Sequence, residues 1–137
     1  MSVAVFDASV VVKWYLAEDP LAAQALEVRL AFEGAAPTLI LAEAANALWR
    51  YVRLNRMDID DVCEGVAVIG EGLRLTSDAD LIDAAQRLSA RLDHPVYDCL
   101  YLALAQRLDA PLVTADRKLA EKAQAVGLAA ILLQTRS

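Results

Sequence analysis

Val3-Ala4-Val5-Phe6-Asp7-Ala8-Ser9-Val10 decides how the chain folds. Four apolar residues rich in β-formers read as a short buried strand, and the change to Asp-Ala-Ser reads as a turn into a helix. Asp7 therefore stands at the C-terminal end of the first strand. Working outward, Ser9 is expected to cap a first helix through about Leu16. Asp19-Pro20 then cap and start a second that runs towards Glu33, with Gly34 as its stop. Pro37 to Leu41 reads as a second strand. From Ala42 to Arg56 the apolar residues Ala45, Leu48, Trp49 and Val52 and the polar residues Glu43, Asn46, Arg50 and Arg53 fall on helical spacing, which predicts an amphipathic helix with Glu43 in its first turn.

The second half repeats the alternation. Asp58 is placed to cap a helix through about Gly70, Leu73 to Thr76 reads as a short strand, and Ser77 caps a helix from Asp78 to Leu92. After His94-Pro95, Val96 to Leu108 reads as a buried helix with Asp98 in its first turn. Pro111 to Thr114 reads as a strand with Asp116 just beyond it. A last helix, Asp116 to Val126, is stopped by Gly127, and Ala130 to Leu133 makes a final strand before a polar tail. Strands separated by helices predict an α/β fold over residues 1–137 as one domain: a three-layer α/β/α sandwich with a mainly parallel central sheet of about five strands. Ligands of such sheets collect at the carboxyl ends of the strands.

Of the 137 residues, 58% are hydrophobic, enough for a single core. The longest apolar stretch, Ala35 to Trp49, is broken by Pro37 and Glu43, so no membrane span is expected, and Asp7 interrupts what would be the apolar region of an export signal. A cytoplasmic protein is expected. Cys63 and Cys99 belong to no CxxC or Cys/His cluster and are expected to be reduced and partly buried. Thirteen basic against nineteen acidic residues give a net charge of −6, the wrong sign for holding nucleic acid by bulk electrostatics. Any nucleic-acid substrate would need a local basic rim, for which Lys13, Arg50, Arg53, Arg56, Arg117 and Lys118 are candidates if they are not simply solvated. Trp14, Tyr15, Trp49, Tyr97 and Tyr101 are either core and interface residues or stacking surfaces for bases. His94, the only histidine, is taken as structural, which excludes a nuclease mechanism built on paired histidines.

Asp7, Glu43, Asp98 and Asp116 each sit where a strand ends or a helix begins, so four distant segments can converge on one rim. Gathered there, the four carboxylates would repel one another and raise some pKa values unless a divalent cation neutralised them. Hard oxygen donors without Cys or His favour magnesium or manganese over zinc. Phosphodiester hydrolysis suits such a site. The alternative for each acid is helix capping; for Asp58, Asp60, Asp61, Asp78, Asp80 and Asp83 the reading is capping or a solvated face.

The local sequence around the four acids separates them from the rest. Val5-Phe6-Asp7-Ala8-Ser9-Val10, Leu41-Ala42-Glu43-Ala44-Ala45-Asn46-Ala47-Leu48, Tyr97-Asp98-Cys99-Leu100-Tyr101-Leu102-Ala103 and Val113-Thr114-Ala115-Asp116-Arg117-Lys118-Leu119 resemble, in order and spacing, the successive motifs of the PIN-domain family. Within that family the chain resembles the VapC-type toxins of bacterial toxin-antitoxin pairs. The resemblance implies a Mg2+- or Mn2+-dependent endoribonuclease, homodimeric and inhibited by a small VapB-like antitoxin. It also implies that Asp7 and Asp98 are the most direct metal ligands, that Glu43 and Asp116 complete the pocket, and that Ser9, Asn46 and Thr114 orient the carboxylates or a phosphate. An antitoxin arginine entering the acidic pocket would account for regulation. A receiver-like domain would need paired acids after its first strand, and a haloacid-dehalogenase-like phosphatase a second Asp where Ser9 stands. A PIN domain that cuts DNA, or that only binds, is the nearer alternative.

Overall fold

A computed structural model describes residues 1–135, so the end of the expected polar tail, residues 136–137, lies outside the described residues. The elements follow in the order β1 (Val3–Phe6), α1 (Ala8–Val11), a 3-10 turn (Val12–Tyr15), α2 (Ala22–Ala31), β2 (Glu33–Pro37), α3 (Leu39–Arg53) and α4 (Ile59–Gly72). The chain continues through β3 (Arg74–Thr76), α5 (Asp78–Leu92), α6 (Val96–Leu108), β4 (Leu112–Thr114), α7 (Arg117–Ala125) and β5 (Ala130–Leu132). The five strands form one sheet in the order β3-β2-β1-β4-β5, and every pairing is parallel. Helices cover this sheet in the expected α/β/α arrangement. Among the described residues, no helix is long and apolar enough to cross a membrane.

β1 lies at the centre. From it the chain builds outward through β2 and β3, then crosses back to add β4 and β5 on the other side. The reversal falls between β1 and β4, where such sheets open a crevice at their carboxyl ends. Register sets what faces that crevice. Phe6 pairs with Val113, so the next residues on each strand, Asp7 and Thr114, come opposite one another, and the Asp7 N–H donates to the Val113 carbonyl at 3.3 Å.

α6 packs against β1, β2 and β4 and is covered by α5. Every residue from Cys99 to Ala105 is buried, the pattern of a helix apolar on all sides. Its two ends reach the surface: the first turn, with Asp98, and the last, with Gln106 and Arg107. α3 is fixed at its start by a reciprocal pair of hydrogen bonds: Leu39 N–H donates to the Asp78 carboxylate at 3.1 Å, and Asp78 N–H donates to the Thr38 hydroxyl at 3.2 Å. Asp78 thus ties the start of α5 to the start of the helix that carries Glu43.

Several boundaries differ from the sequence-based expectation. The second strand is Glu33–Pro37, and Leu39 to Leu41 form the first turn of α3. A short apolar run such as Leu39-Ile40-Leu41 has no period that distinguishes strand from helix. Phe6 and Leu73 lie directly over Gly34 and leave no room there for a side chain. Glu43 consequently sits in the second turn of α3, and Gly34 ends no helix. α2 begins at Ala22, after a turn in which the Asp19 carboxylate accepts the Leu21 N–H at 2.8 Å. Asp7, not Ser9, occupies the cap position of α1. Asp58 and Ser77 cap α4 and α5 as expected. Cys99 is buried but Cys63 is exposed, and both are free thiols.

A side chain at Gly34 would place its Cβ 2.7 Å from Leu73 Cδ2 and 3.0 Å from the Phe6 ring. Gly34→Ala is therefore expected to destabilise the fold by about 1–2 kcal/mol through overpacking. The urea midpoint measures this, and an unchanged midpoint contradicts it.

Candidate functional site

Asp7 follows the central strand and is 6% exposed. Its carboxylate does not cap α1. One oxygen, Oδ1, accepts from the Ser9 hydroxyl at 2.6 Å, and the other, Oδ2, accepts from the Thr114 hydroxyl at 2.5 Å. These two hydroxyls are themselves oriented by the loop after β4: Ala115 N–H donates to Ser9 Oγ at 2.9 Å and Asp116 N–H donates to Thr114 Oγ1 at 3.0 Å. The Asp7 side chain is thus held from both sides of the β1–β4 crevice. Ser9 and Thr114 are the two side chains that hydrogen-bond the Asp7 carboxylate among the described residues.

Asp98 lies in the first turn of α6, with its side chain 31% exposed. An acid at this third helical position commonly returns to the N–H of the cap residue, but the cap here is Pro95, which has none. The Asp98 carboxylate instead meets His94, whose Nε2 lies 2.7 Å from Oδ2. Glu43 stands on α3, and its Oε1 accepts from the Tyr101 hydroxyl of α6 at 2.5 Å. Asp116 is the exception to the pattern. It caps α7, its Oδ1 accepting from Lys118 N–H at 2.9 Å and Leu119 N–H at 3.3 Å. Three of the four acids therefore do not cap a helix, and the fourth caps through one oxygen only. In Asp98, Glu43 and Asp116 the second oxygen makes no hydrogen bond among the described residues.

The four groups share one electrostatic neighbourhood. Burial pushes the Asp7 carboxyl up to about 6; Ser9 and Thr114 pull it down, while the charges of Asp116 and Asp98 push it up again. Glu43 is also raised, first by burial, against the Tyr101 hydrogen bond and with added repulsion from Asp98 and Asp78. The buried Tyr101 phenol is held strongly in its neutral form by burial and by Glu43, Asp7 and Asp98 together. Tyr101 therefore lies beneath the cluster, and Asp98 is the neighbour common to Asp7 and Glu43.

Among the described residues, no group of three or more His, Cys, Asp or Glu side chains is arranged to hold a metal ion. The donor set nevertheless suits a hard divalent ion of the magnesium kind, which keeps several waters and needs only one or two carboxylates from the protein. All four candidates are oxygen donors, and the raised Asp7 carboxyl marks a charge that lacks compensation.

Other expectations fare unevenly. Asn46 is exposed one turn from Glu43 and joins no hydrogen bond among the described residues. Lys13 is partly buried and paired with Asp19 at 3.6 Å, which removes it from a free cationic rim. Arg53 stacks over the exposed Trp49 ring at 5.0 Å, and Arg50 and Arg56 line an open cavity of about 380 Å³ with Lys13. An adjoining cavity of about 670 Å³ is lined by Tyr15, Asp19, Tyr51, Arg56 and Met57 and by none of the four acids. Arg117 and Lys118 follow Asp116 at the exposed start of α7. Sequence reasoning missed His94 and Tyr101 as site residues. For His94 the available signal was its four-residue spacing from Asp98 across a proline.

Because the folded Asp7 carboxyl takes up a proton near pH 6 and the unfolded one near 3.8, its contribution to stability is fully present below about pH 4 and is lost as pH rises through 6. The loss is on the order of 3 kcal/mol. Urea unfolding in EDTA at pH 4.5 and 7.5 should show the wild type losing more stability over this interval than Asp7→Asn. Parallel pH profiles for the two proteins would contradict this.

Residues 4–125 match the PIN domain. Ribonuclease VapC3 of Pyrobaculum aerophilum is 31% identical over 121 residues, covering 86% of this chain and 92% of that protein. A Pyrobaculum aerophilum protein of known crystal structure superposes with a TM-score of 0.70 at 24% identity, over 95% of this chain and 84% of its own. A toxin-antitoxin complex from Klebsiella pneumoniae gives 0.61 at 19% identity, over 85% and 89%. These two likenesses bear on the fold, which they share. The family match spans the strands, helices and acids described above, and the chain belongs to the PIN-domain family, in its VapC branch.

Proposed function

We propose that this chain is an endoribonuclease that hydrolyses RNA phosphodiester bonds with water activated by Mg2+ or Mn2+, and that it acts as the toxin of a VapBC-type toxin-antitoxin pair. The observation that carries the reading is the Asp7 carboxylate, buried at the end of the central strand, held on both oxygens and pressed by neighbouring negative charge. Its relative in Pyrobaculum aerophilum is named a ribonuclease, and one neighbour in fold is a toxin-antitoxin complex.

Asp7 and Asp98 would hold the ion most directly, with Glu43 and Asp116 completing the pocket. When bound, it supplies a water of lowered pKa and neutralises charge on the phosphate. The chain's own residues do the remaining work. Ser9 and Thr114 prevent the Asp7 side chain from rotating, and Tyr101 holds Glu43 towards the cluster. Arg50, Arg53, Arg117 and Lys118 would offset the overall charge of −6 where RNA phosphates approach. Lys13, already paired with Asp19, contributes less.

A basic VapB-like antitoxin is the natural protein partner of such an acidic rim, and an arginine inserted there would compete with the cation. Homodimer formation belongs to the same reading and would use exposed apolar side chains such as Leu26, Leu30 and Trp49. Action in the cytoplasm follows from both partners. DNA cleavage, or binding without cleavage, is the alternative that the same assay separates.

The test incubates the purified chain with structured RNA and with matched single-stranded DNA, in Mg2+, Mn2+ or EDTA. RNA should be cut, EDTA should stop the reaction, and Asp7→Asn should lower the rate by roughly two orders of magnitude or more. Cutting in EDTA, or undiminished cutting by Asp7→Asn, would overturn the proposal.

A further inference from the structure

We infer that His94 is a positioning residue for the acidic site, fixing the Asp98 carboxylate so that one of its oxygens is left for a divalent cation; this rests on the metal reading of the site.

The segment that carries His94 is built to hold the ring still. α5 ends at Asp93 in a left-handed conformation, φ 51°, and the chain turns at once into α6. The His94 backbone is held at both of its polar groups by one residue: its N–H donates to the Ser89 carbonyl at 3.2 Å, and its carbonyl accepts from the Ser89 hydroxyl at 2.6 Å. The imidazole is buried, its side chain 4% exposed. Such a ring has little freedom to take another rotamer.

Among the described residues, the ring's one hydrogen bond is to Asp98. With the proton on Nε2 the ring donates and the carboxylate accepts. Nδ1 is buried without a hydrogen-bond partner among the described residues. A proton there would be an unpaired buried donor, which selects the Nε2–H tautomer. A histidine needed only to fill space would satisfy its ring on nearby backbone. This one directs its sole donor at a carboxylate of the cluster, and Pro95 leaves that carboxylate no cap N–H to take instead. Partners of metal-ligating carboxylates commonly matter at about 10- to 100-fold in metal affinity.

Mn2+ affinity measured by calorimetry separates this role from packing. His94→Phe keeps the volume and removes the donor, whereas His94→Gln can return an N–H to the Nε2 position. His94→Phe is expected to weaken Mn2+ binding by roughly tenfold or more, with His94→Gln recovering most of the loss. The unmodified chain supplies a readout that needs no variant. Because it has one histidine, its ring 15N signals are unambiguous. They should show the proton on Nε2 and should shift when Mg2+ is added. Equal Mn2+ affinity in wild type and His94→Phe, a ring proton on Nδ1, or ring signals unmoved by Mg2+ would overturn the role of His94. A wild-type chain that binds no Mn2+ would instead overturn the metal reading beneath it, and that result appears before any variant is compared.

Discussion

A negative charge buried at the end of the central strand is the constraint around which the other features of the site are arranged. Removing a carboxylate from water is costly unless hydrogen bonds or a counter-charge compensate it. Ser9 and Thr114 compensate Asp7 in part, one hydroxyl to each oxygen. Burial and the charges of Asp116 and Asp98 outweigh them, and the group ends with its pKa raised to about 6. The fold accepts this because the register of β1 with β4 places Thr114 opposite Asp7, and because the following loop aims two backbone N–H groups at the same hydroxyls. A cation at this point would relieve a cost already built into the folded chain.

The same logic distinguishes the four acids from the many others. Asp58 accepts an N–H group in a local turn, and Asp19 does the same while pairing with Lys13. Asp7, Asp98 and Glu43 are withheld from capping by three different means: two side-chain hydroxyls, a proline at the cap, and a place in the second turn of a helix. Asp116 combines both uses, capping α7 with one oxygen while its charge acts on Asp7. Side chains on α6 and just before it, Tyr101 and His94, set the orientation of Glu43 and Asp98. Three elements remote in sequence are thereby locked around one rim.

Much of this was legible in the chain itself. An apolar run ending in Asp marks a strand end whether or not the rest is known, and Asp7 and Asp116 were placed correctly on that ground. Asp58 and Ser77 were readable as caps because a cap is a local interaction. The second strand was not, since Gly34-Ala35-Ala36 carries no β-forming side chains; it is a strand through its pairing with β1 and β3, and Phe6 and Leu73 account for the glycine. Tyr101 pairs with a residue 58 positions away, a relation that no local pattern encodes. His94 read as a loop residue because Pro95 follows it, yet that proline is what frees Asp98 to meet the ring.

The central claim is that these carboxylates form one divalent-cation site. Anomalous diffraction from a crystal soaked in Mn2+ tests it most directly. The account predicts a peak within coordination distance of the Asp7 and Asp98 carboxylates. Saturating Mn2+ that leaves this rim empty, or peaks only at other surface acids, would contradict it.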